Sequence, residues 1–484
     1  MEIDVKSGPI DELSADTIAV AIPEPADPPP AGVEELWTLV ASGEAPAKRG
    51  VARLVHANGR RVIAAGLGPR GAIDADAIRD AAAAAARERQ AGVRGRVAWL
   101  LDPALLALEE QARAVVEGIV LGIYDPGAWK TTGERRSLNQ LTLVSEHDVG
   151  EAARRAAVVA EWANHARELA NRPPNDLTPV RFAEHAAGIA SRFEPLTASA
   201  LGPEEMAERG MGAILAVGQG SSSEPRMILM RYEPNWPTRS DVVLGLVGKG
   251  VTFDTGGISI KEREYMEDMK GDMAGGGAVV AAMGAIAELG LQVRVVAVVG
   301  AVENMPSGSS FRPGDILTAM NGKTIEVTDT DAEGRIVLAD ALAYTREEGA
   351  THLLDLATLT GAMERALGDL YAGVFGNDPA WRDEVVAAGE ASGDHAWPLP
   401  LHPRYHRFIE SAYADMKNHN IRLQAIPAYA AEFLREFAGE GPWAHIDMAG
   451  TGFLTWSRGD YLSQKGGTGY GVRLIVELAT RLAA

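Results

Sequence analysis

Val327-Thr328-Asp329-Thr330-Asp331-Ala332-Glu333-Gly334-Arg335 joins an apolar, strand-like run to an amphipathic helical one. A strand that turns straight into a helix is the repeating step of an α/β fold. Three carboxylates and one guanidinium crowd that turn. In an extended segment alternate side chains point the same way, so Asp329, Asp331 and Glu333 are expected to share a face. Three like charges side by side need a cation or a shared proton, and two divalent metals suit them. The plainer alternative is a solvated acidic turn capping the helix that begins near Gly334.

Upstream, residues 246–261 read as an apolar strand running into a glycine-rich turn that holds Lys249 and Asp254, with Lys261 after another short apolar run. The spacing fits neither a phosphate-binding loop nor a dinucleotide fingerprint. The plainer reading is a Lys–Asp ion pair at a strand end. Asp272 stands just before an apolar helix, where alone it would be an N-cap. Gly275-Gly276-Gly277 follows. Three glycines at a helix start are costly in backbone entropy, and make sense where another backbone or a metal loop approaches closely. Histidine offers little competition. The 10 histidines include no H-E-x-x-H motif. His402 and His406 have helical metal-pair spacing, but Pro403 and the lack of an acidic residue between them favour a surface turn. His445, beside Ile446-Asp447, reads as a buried core histidine.

The rest of the chain alternates strand and helix patterns. Residues 17–22, 51–56, 61–67, 96–101 and 140–145 read as strands, and 74–90 and 103–123 as helices. The 23–32 stretch is a proline-rich loop. A small α/β domain is expected there, with a packing or assembly role. Residues 151–170 form one long helix with Val158, Trp162, Ala166 and Leu169 on a stripe, stopped by Pro173-Pro174. Beyond it, 227–232, 241–247, 293–302 and 352–357 read as buried strands. Helices are expected at 180–191, 274–289, 335–347, 380–390 and 428–438. Asn321-Gly322 signals a hairpin turn. The expected organisation is α/β throughout. A smaller N-terminal α/β domain (1–150) is joined by a long linker helix (151–172) to a larger catalytic α/β domain (173–484) with a helix-flanked mixed sheet. Sheets of this kind carry their sites in loops at the carboxyl ends of strands.

Composition narrows the function. The 484 residues are 46% hydrophobic and 23% charged, with net charge −20 and no cysteine. The acidity argues against non-specific binding to nucleic acid or anionic membranes. Without cysteine there is no thiolate site and no cysteine nucleophile, so any metal must use oxygen or nitrogen ligands. The start at Met1-Glu2-Ile3-Asp4-Val5 carries no signal-peptide pattern, and no uncharged apolar run reaches spanning length, so no membrane role and a cytoplasmic location are expected.

The stretches 247–261, 269–273 and 328–338 resemble the signatures of the leucyl (cytosol) aminopeptidase family of two-metal peptidases. So do 171–179, 217–226, 303–316, 355–361 and 443–450, in the same order from about Gly150 onward. The N-terminal part resembles the family only in size, class and the 124–131 segment. The resemblance implies hydrolysis of the first peptide bond of a peptide, with leucine and other apolar residues preferred. It implies two divalent metals per subunit, zinc, manganese, magnesium or cobalt by ligand type. Asp254 and Glu333 would contact both metals, Lys249 and Asp272 would complete one, and Asp331 the other. A lysine ligand must be neutral, and two adjacent dications would depress its pKa.

By the same resemblance Lys261 would stabilise the oxyanion, and Arg335 would hold a bicarbonate acting as general base. Met269, Thr358, Gly361 and Ala449 would line the pocket for the first side chain, and the backbone around Leu359 would bind the peptide. For each of these, core packing is the plainer alternative. A homohexamer is implied as well. Two departures stand out: Asp329 replaces the usual asparagine, and Gly275-Gly276-Gly277 replaces a pattern richer in alanine. The rival readings are a DNA-binding regulator, opposed by the charge, and a two-metal phosphoesterase, opposed by the two lysines.

Overall fold

The computed structural model describes residues 1–13, 15–26, 32–89, 95–132, 138–462 and 464–484. They form two compact units, Met1–Asn164 with Ser457–Gln464, and His165–Trp456 with Lys465–Ala484. Residues 27–31 of the expected 23–32 loop lie outside the described residues.

In the first unit, strands β1 (Glu2–Lys6), β2 (Thr17–Glu24), β3 (Ala52–Ala57), β4 (Arg60–Pro69), β5 (Arg96–Leu100) and β6 (Gln140–Val144) form one sheet in the order β1-β6-β5-β2-β4-β3. All neighbours are parallel except β3, which runs against β4. The edge strand β1 was not expected. Its Glu2-Ile3-Asp4-Val5-Lys6 is short, polar at both ends and weak as a strand signal. Helices α1 (Leu36–Ala41), α2 (Ala75–Arg89) and α3 (Leu108–Gly122) complete the unit. The alanine run of α2 serves close packing: a Cβ on Gly118 of α3 would lie 2.4 Å from the Arg79 carbonyl, and one on Gly122 2.5 Å from Ala83. Helix α4 (Gly150–Asn171) begins in this unit and ends in the next.

The second unit holds an eight-stranded mixed sheet. Its strands are β7 (Leu196–Leu201), β8 (Arg226–Tyr232), β9 (Val243–Asp254), β10 (Arg294–Asn304), β13 (His352–Ala357), β14 (Ala372–Gly376), β15 (Ala396–Pro398) and β17 (Trp443–Asp447), ordered β15-β14-β17-β13-β9-β10-β8-β7. The central four, β17, β13, β9 and β10, are parallel. A small sheet of β11 (Ile316–Thr318), β12 (Thr324–Glu326) and β16 (Met416–Lys417) lies beside it, with Asn321-Gly322 in the β11–β12 turn as expected. The helices are α5 (Pro179–Ala190), α6 (Pro203–Glu208), α7 (Gly212–Gly218), α8 (Ala274–Leu289), α9 (Glu333–Glu347), α10 (Gly361–Leu367), α11 (Pro379–Ser392), α12 (Ile426–Arg435) and α13 (Val472–Leu482).

Glycines show how the sheet is covered. A Cβ on Gly276 of α8 would meet Val299 at 2.7 Å, and one on Gly300 would meet Val337 of α9 at 2.5 Å. Successive residues of β10 point to opposite faces, so α8 and α9 cover opposite sides. Gly248 lies where its Cβ would be 2.5 Å from the Gly276 Cα, and Gly275 where its Cβ would be 2.2 Å from the Leu356 carbonyl. Backbone contact is thus the reason for Gly275 and Gly276, whereas a Cβ on Gly277 would meet only the Met273 side chain closely, at 3.3 Å. Such contact also corrects one expectation. Gly248 and Gly250 do not form a turn, because β9 runs on through Asp254. The turn comes at Gly256 and Gly257, with φ of +84° and +68°. The stretch Met266–Leu289 is long and apolar enough to cross a bilayer, but most of its apolar part is buried inside the unit, as suits a core helix.

Candidate metal centre

β9 brings Lys249 and Asp254 to the carboxyl end of the central strands. Asp272 arrives on the turn before α8, and Glu333 opens α9. Asp254, Asp272 and Glu333 offer ligand oxygens all within 4.8 Å of one another, the only such group among the described residues. Two lysines thread the cluster. Lys249 Nζ lies 2.8 Å from Asp272 and 2.9 Å from Glu333. Lys261 Nζ lies 2.7 Å from Asp254 and also pairs with Asp331. The five residues expected to hold metals, with Lys261, therefore form one constellation.

Its surroundings fix some of these groups and leave others open. Asp254 Oδ1 accepts hydrogen bonds from the Gly256 amide and from Asn304 Nδ2, each at 2.8 Å. Asn304, at the end of β10, also donates to the Thr330 carbonyl at 2.9 Å, which ties the β9 turn to the 327–333 segment. Asp272 Oδ1 accepts from Lys249 and from the Thr358 hydroxyl. Asp272 Oδ2 and both Glu333 oxygens are buried without a directed hydrogen bond, although Glu333 Oε1 is ion-paired to Lys249. Buried polar atoms are nearly always bonded, so these orphaned oxygens fit a set of ligands built for cations.

Burial pushes the Asp272 carboxyl up to about 8 and the Asp331 carboxyl up to about 7, with Lys249 and Lys261 respectively opposing the rise. Burial and then Asp254 raise Glu333. Burial opposes the Lys249 ammonium, but Asp272, Glu333 and Asp254 outweigh it and hold the proton more tightly than usual. The protons and ammonium groups stand where positive charge is required.

Three expectations need correction. Asp329 does not share a face with Asp331 and Glu333. The segment is a turn rather than a strand, and Asp329 Oδ2 faces His419 Nε2 at 3.8 Å while its Oδ1 accepts from the Asp331 amide at 2.9 Å. Asp272 is not a helix cap, because its carboxylate turns toward Lys249 and Thr358. Glu333, not Gly334, begins the helix, which places its carboxylate beside Lys249. His402 caps a short helical turn by accepting the Arg404 amide.

Arg335 is buried in the first turn of α9. Its Nη1 donates to the Asn418 carbonyl at 2.6 Å, its guanidinium stacks over the Tyr429 ring at 5.4 Å, and its Nε has no hydrogen-bond acceptor. Asn418, fully buried, donates to the carbonyls of Asp329 (2.6 Å) and Ala332 (3.3 Å) and accepts the Thr328 amide. The sequence reading missed Asn304 and Asn418. Asn304 acts through the Asp254 carboxylate and the Thr330 carbonyl, Asn418 through backbone groups of the 328–332 segment, and no local pattern announces either. Met269 lies in the turn leading to Asp272. Thr358, Leu359 and Gly361 follow β13, and Ala449 follows β17; all but the exposed Gly361 are half-buried. The Thr358 carbonyl accepts from Lys249 at 3.1 Å, so this loop abuts the charged cluster.

Comparison with known proteins places this geometry. The model of the cytosol aminopeptidase family catalytic domain matches residues 164–476, and that of its N-terminal domain matches residues 30–132. The second match reaches well beyond the 124–131 segment noticed in the sequence. A "Probable cytosol aminopeptidase" of Solibacter usitatus is 43% identical over 99% of both chains. Its namesake of Roseiflexus castenholzii is 48% identical over 86% of both. Among solved structures, the bottromycin maturation enzyme BotP in complex with Mn superposes with a TM-score of 0.88 at 34% identity, over 97% of this chain and 100% of that one. A mutant tomato leucine aminopeptidase gives 0.88 at 32%, over 99% and 96%.

Proposed function

The chain belongs to the cytosol aminopeptidase family and is a metal-dependent aminopeptidase acting on peptides, and on that footing we propose that it removes N-terminal leucine and other apolar residues with the help of two divalent metals. The observation that carries the two-metal reading is the set of buried, converging carboxylates, of which Asp272 Oδ2 and both Glu333 oxygens accept no directed hydrogen bond. Lys249, Asp254, Asp272, Asp331 and Glu333 would hold the pair. The ions would supply Lewis acidity toward the scissile carbonyl and an acidified water. Manganese and zinc both suit such ligands, and the manganese complex of BotP favours trying manganese first.

The chain's own groups divide the remaining work. Lys261, partly exposed between Asp254 and Asp331, puts a positive charge where a carbonyl oxygen would become an oxyanion. Arg335 has a buried Nε with no acceptor, and a planar anion such as bicarbonate would satisfy it. Arg335 cannot itself be the base near neutral pH. The loop from Thr358 to Gly361, with Met269 and Ala449, would receive the first side chain. Apolar pockets discriminate by only about 1–3 kcal/mol per methylene, so a broad preference is expected. Family resemblance also supports a homohexamer, a cytoplasmic location and an assembly role for the N-terminal unit.

Chelation is the test. Prolonged treatment should abolish hydrolysis of leucyl-p-nitroanilide, and manganese or zinc should restore it. Full activity after the metal content has fallen below one ion per chain would overturn the two-metal reading.

A further inference from the structure

We propose that Asp447 is a positioning residue for the substrate loop: its carboxylate sets the backbone of Leu359, Thr360 and Ala449 at the height of the metal cluster. The inference rests on the proposed role of that loop in binding the first residue of the substrate.

The sheet register brings Asp447 to this place. β13 and β17 pair in parallel as far as Ala357 opposite Asp447, and the Met448 amide donates to the Ala357 carbonyl at 2.8 Å. There the ladder ends and the loop begins. The Asp447 carboxylate continues the pairing in side-chain form. Its Oδ1 accepts from the amides of Leu359 (3.2 Å), Thr360 (3.3 Å) and Ala449 (3.3 Å), and its Oδ2 accepts from the Thr360 hydroxyl at 2.6 Å. Asp447 is fully buried and Thr360 nearly so. Three amides and a hydroxyl on one carboxylate suit an anion, because charge-assisted bonds are roughly twice as strong as neutral ones.

The other side of the loop is held by the cluster itself. The Thr358 hydroxyl donates to Asp272 at 2.8 Å and its carbonyl accepts from Lys249 at 3.1 Å. Thr358 is thus tied to the metal centre, and Leu359 and Thr360 to Asp447. The loop held by these ties carries two of the residues assigned to substrate, Thr358 and Leu359, and a third, Gly361, follows directly at the start of α10. Behind Asp447, His445 Nδ1 lies 2.5 Å from Asp355 Oδ1, and Trp443 Nε1 donates to Asp355 Oδ2 at 2.7 Å. Burial raises the Asp447 carboxyl, while the nearby His445 and the bonds from Thr360 and Leu359 work against that rise.

Substitution at Thr360 tests this in the metal-loaded full-length protein. Thr360→Val keeps the shape and removes the hydroxyl, while Thr360→Ser keeps the hydroxyl. The valine variant should raise KM for leucyl-p-nitroanilide about tenfold, with kcat changed less than about twofold and bound metal unchanged. The serine variant should hold KM near the wild-type value. A merely destabilised protein has fewer active molecules, which lowers the maximal rate without moving KM. An unchanged KM in the valine variant therefore overturns the inference. Amide hydrogen exchange of Leu359, Thr360 and Ala449 gives a reading independent of activity. It should quicken about tenfold in Asp447→Asn, and unchanged exchange there overturns the inference too. Loss of KM control with faster exchange supports it. A wild-type chain inactive on every aminoacyl substrate would remove the functional reading, while the exchange result would still decide whether Asp447 anchors the loop.

Discussion

Asp272 Oδ2 and both Glu333 oxygens are buried and accept no directed hydrogen bond, whereas Asp355 and Asp447, also buried, have both oxygens occupied. The two clusters belong to the same unit and are joined through the Thr358–Thr360 loop. In one, four carboxylates face two ammonium groups and remain short of positive charge. In the other, an imidazole, an indole, three amides and a hydroxyl meet two carboxylates. A buried charge costs several kcal/mol unless it is paired and bonded. The second cluster meets that condition from within the chain and serves the scaffold. The first does not, and its deficit is the affinity it offers to cations.

Glu333→Gln gives the largest effect and the sharpest contrast. Activity on leucyl-p-nitroanilide should fall about 10³-fold, in line with losing several kcal/mol of charge stabilisation. Bound metal measured by elemental analysis should fall with it. The metal-free variant should nonetheless melt at or above the wild-type temperature, because one of four crowded like charges has gone and Lys249 keeps Asp272. A metal-free variant that melts well below the wild type would mean that Glu333 also serves the scaffold, and the contrast would fail.

Asp355→Ala should act in the opposite sense. It leaves His445 and the Trp443 indole without their partner in a dry core, a loss of about 3 kcal/mol of stability by denaturant unfolding. Metal binding by the folded fraction should be unchanged. The pH dependence has a definite sign. Burial opposes a charged His445, but Asp355 outweighs it and raises the imidazole pKa in the folded chain. A raised pKa contributes stability that is fully present below the unfolded value of about 6.5 and is lost as pH rises through the folded one. The penalty of Asp355→Ala should therefore shrink as pH rises above about 6.5 without vanishing, because neutral imidazole still donates a hydrogen bond. A penalty that grows with pH would contradict the assignment.

These clusters also show what the sequence could reveal. Asp331 and Glu333 were legible because they stand close together in one turn, in a pattern that states its chemistry locally. Lys249, Asp254, Lys261 and Asp272 were legible as members of a set of stretches in a fixed order. The strands of the central sheet were legible because burial on both faces makes them continuously apolar. Asp447 was not legible. Its partners lie 87 and 88 positions away in the chain and meet it only through the β13–β17 register. Gly248 and Gly250 were misread because glycine marks a turn and a close backbone approach with the same letter. Asp329 was misread because alternation assumes an extended backbone, and the segment bends.

Asp329 is where the smallest effect is expected, and it tests where the metal cluster ends. Asparagine at this position would keep an oxygen to accept the Asp331 amide, and the Asn418 clasp uses the residue's own carbonyl, which any side chain leaves intact. The loop should hold its shape in Asp329→Asn. What goes is a negative charge 3.8 Å from His419 Nε2. Burial and then Arg335 already lower the His419 pKa, and Asp329 opposes them. Removing it should lower that pKa further, as followed by an NMR titration of the imidazole. The pair is partly exposed, and such pairs contribute at most about 1 kcal/mol, so activity at saturating metal should change less than about threefold. A tenfold loss accompanied by metal release would put Asp329 inside the centre, and the boundary between the unsatisfied cluster and its surroundings would have to be redrawn around it.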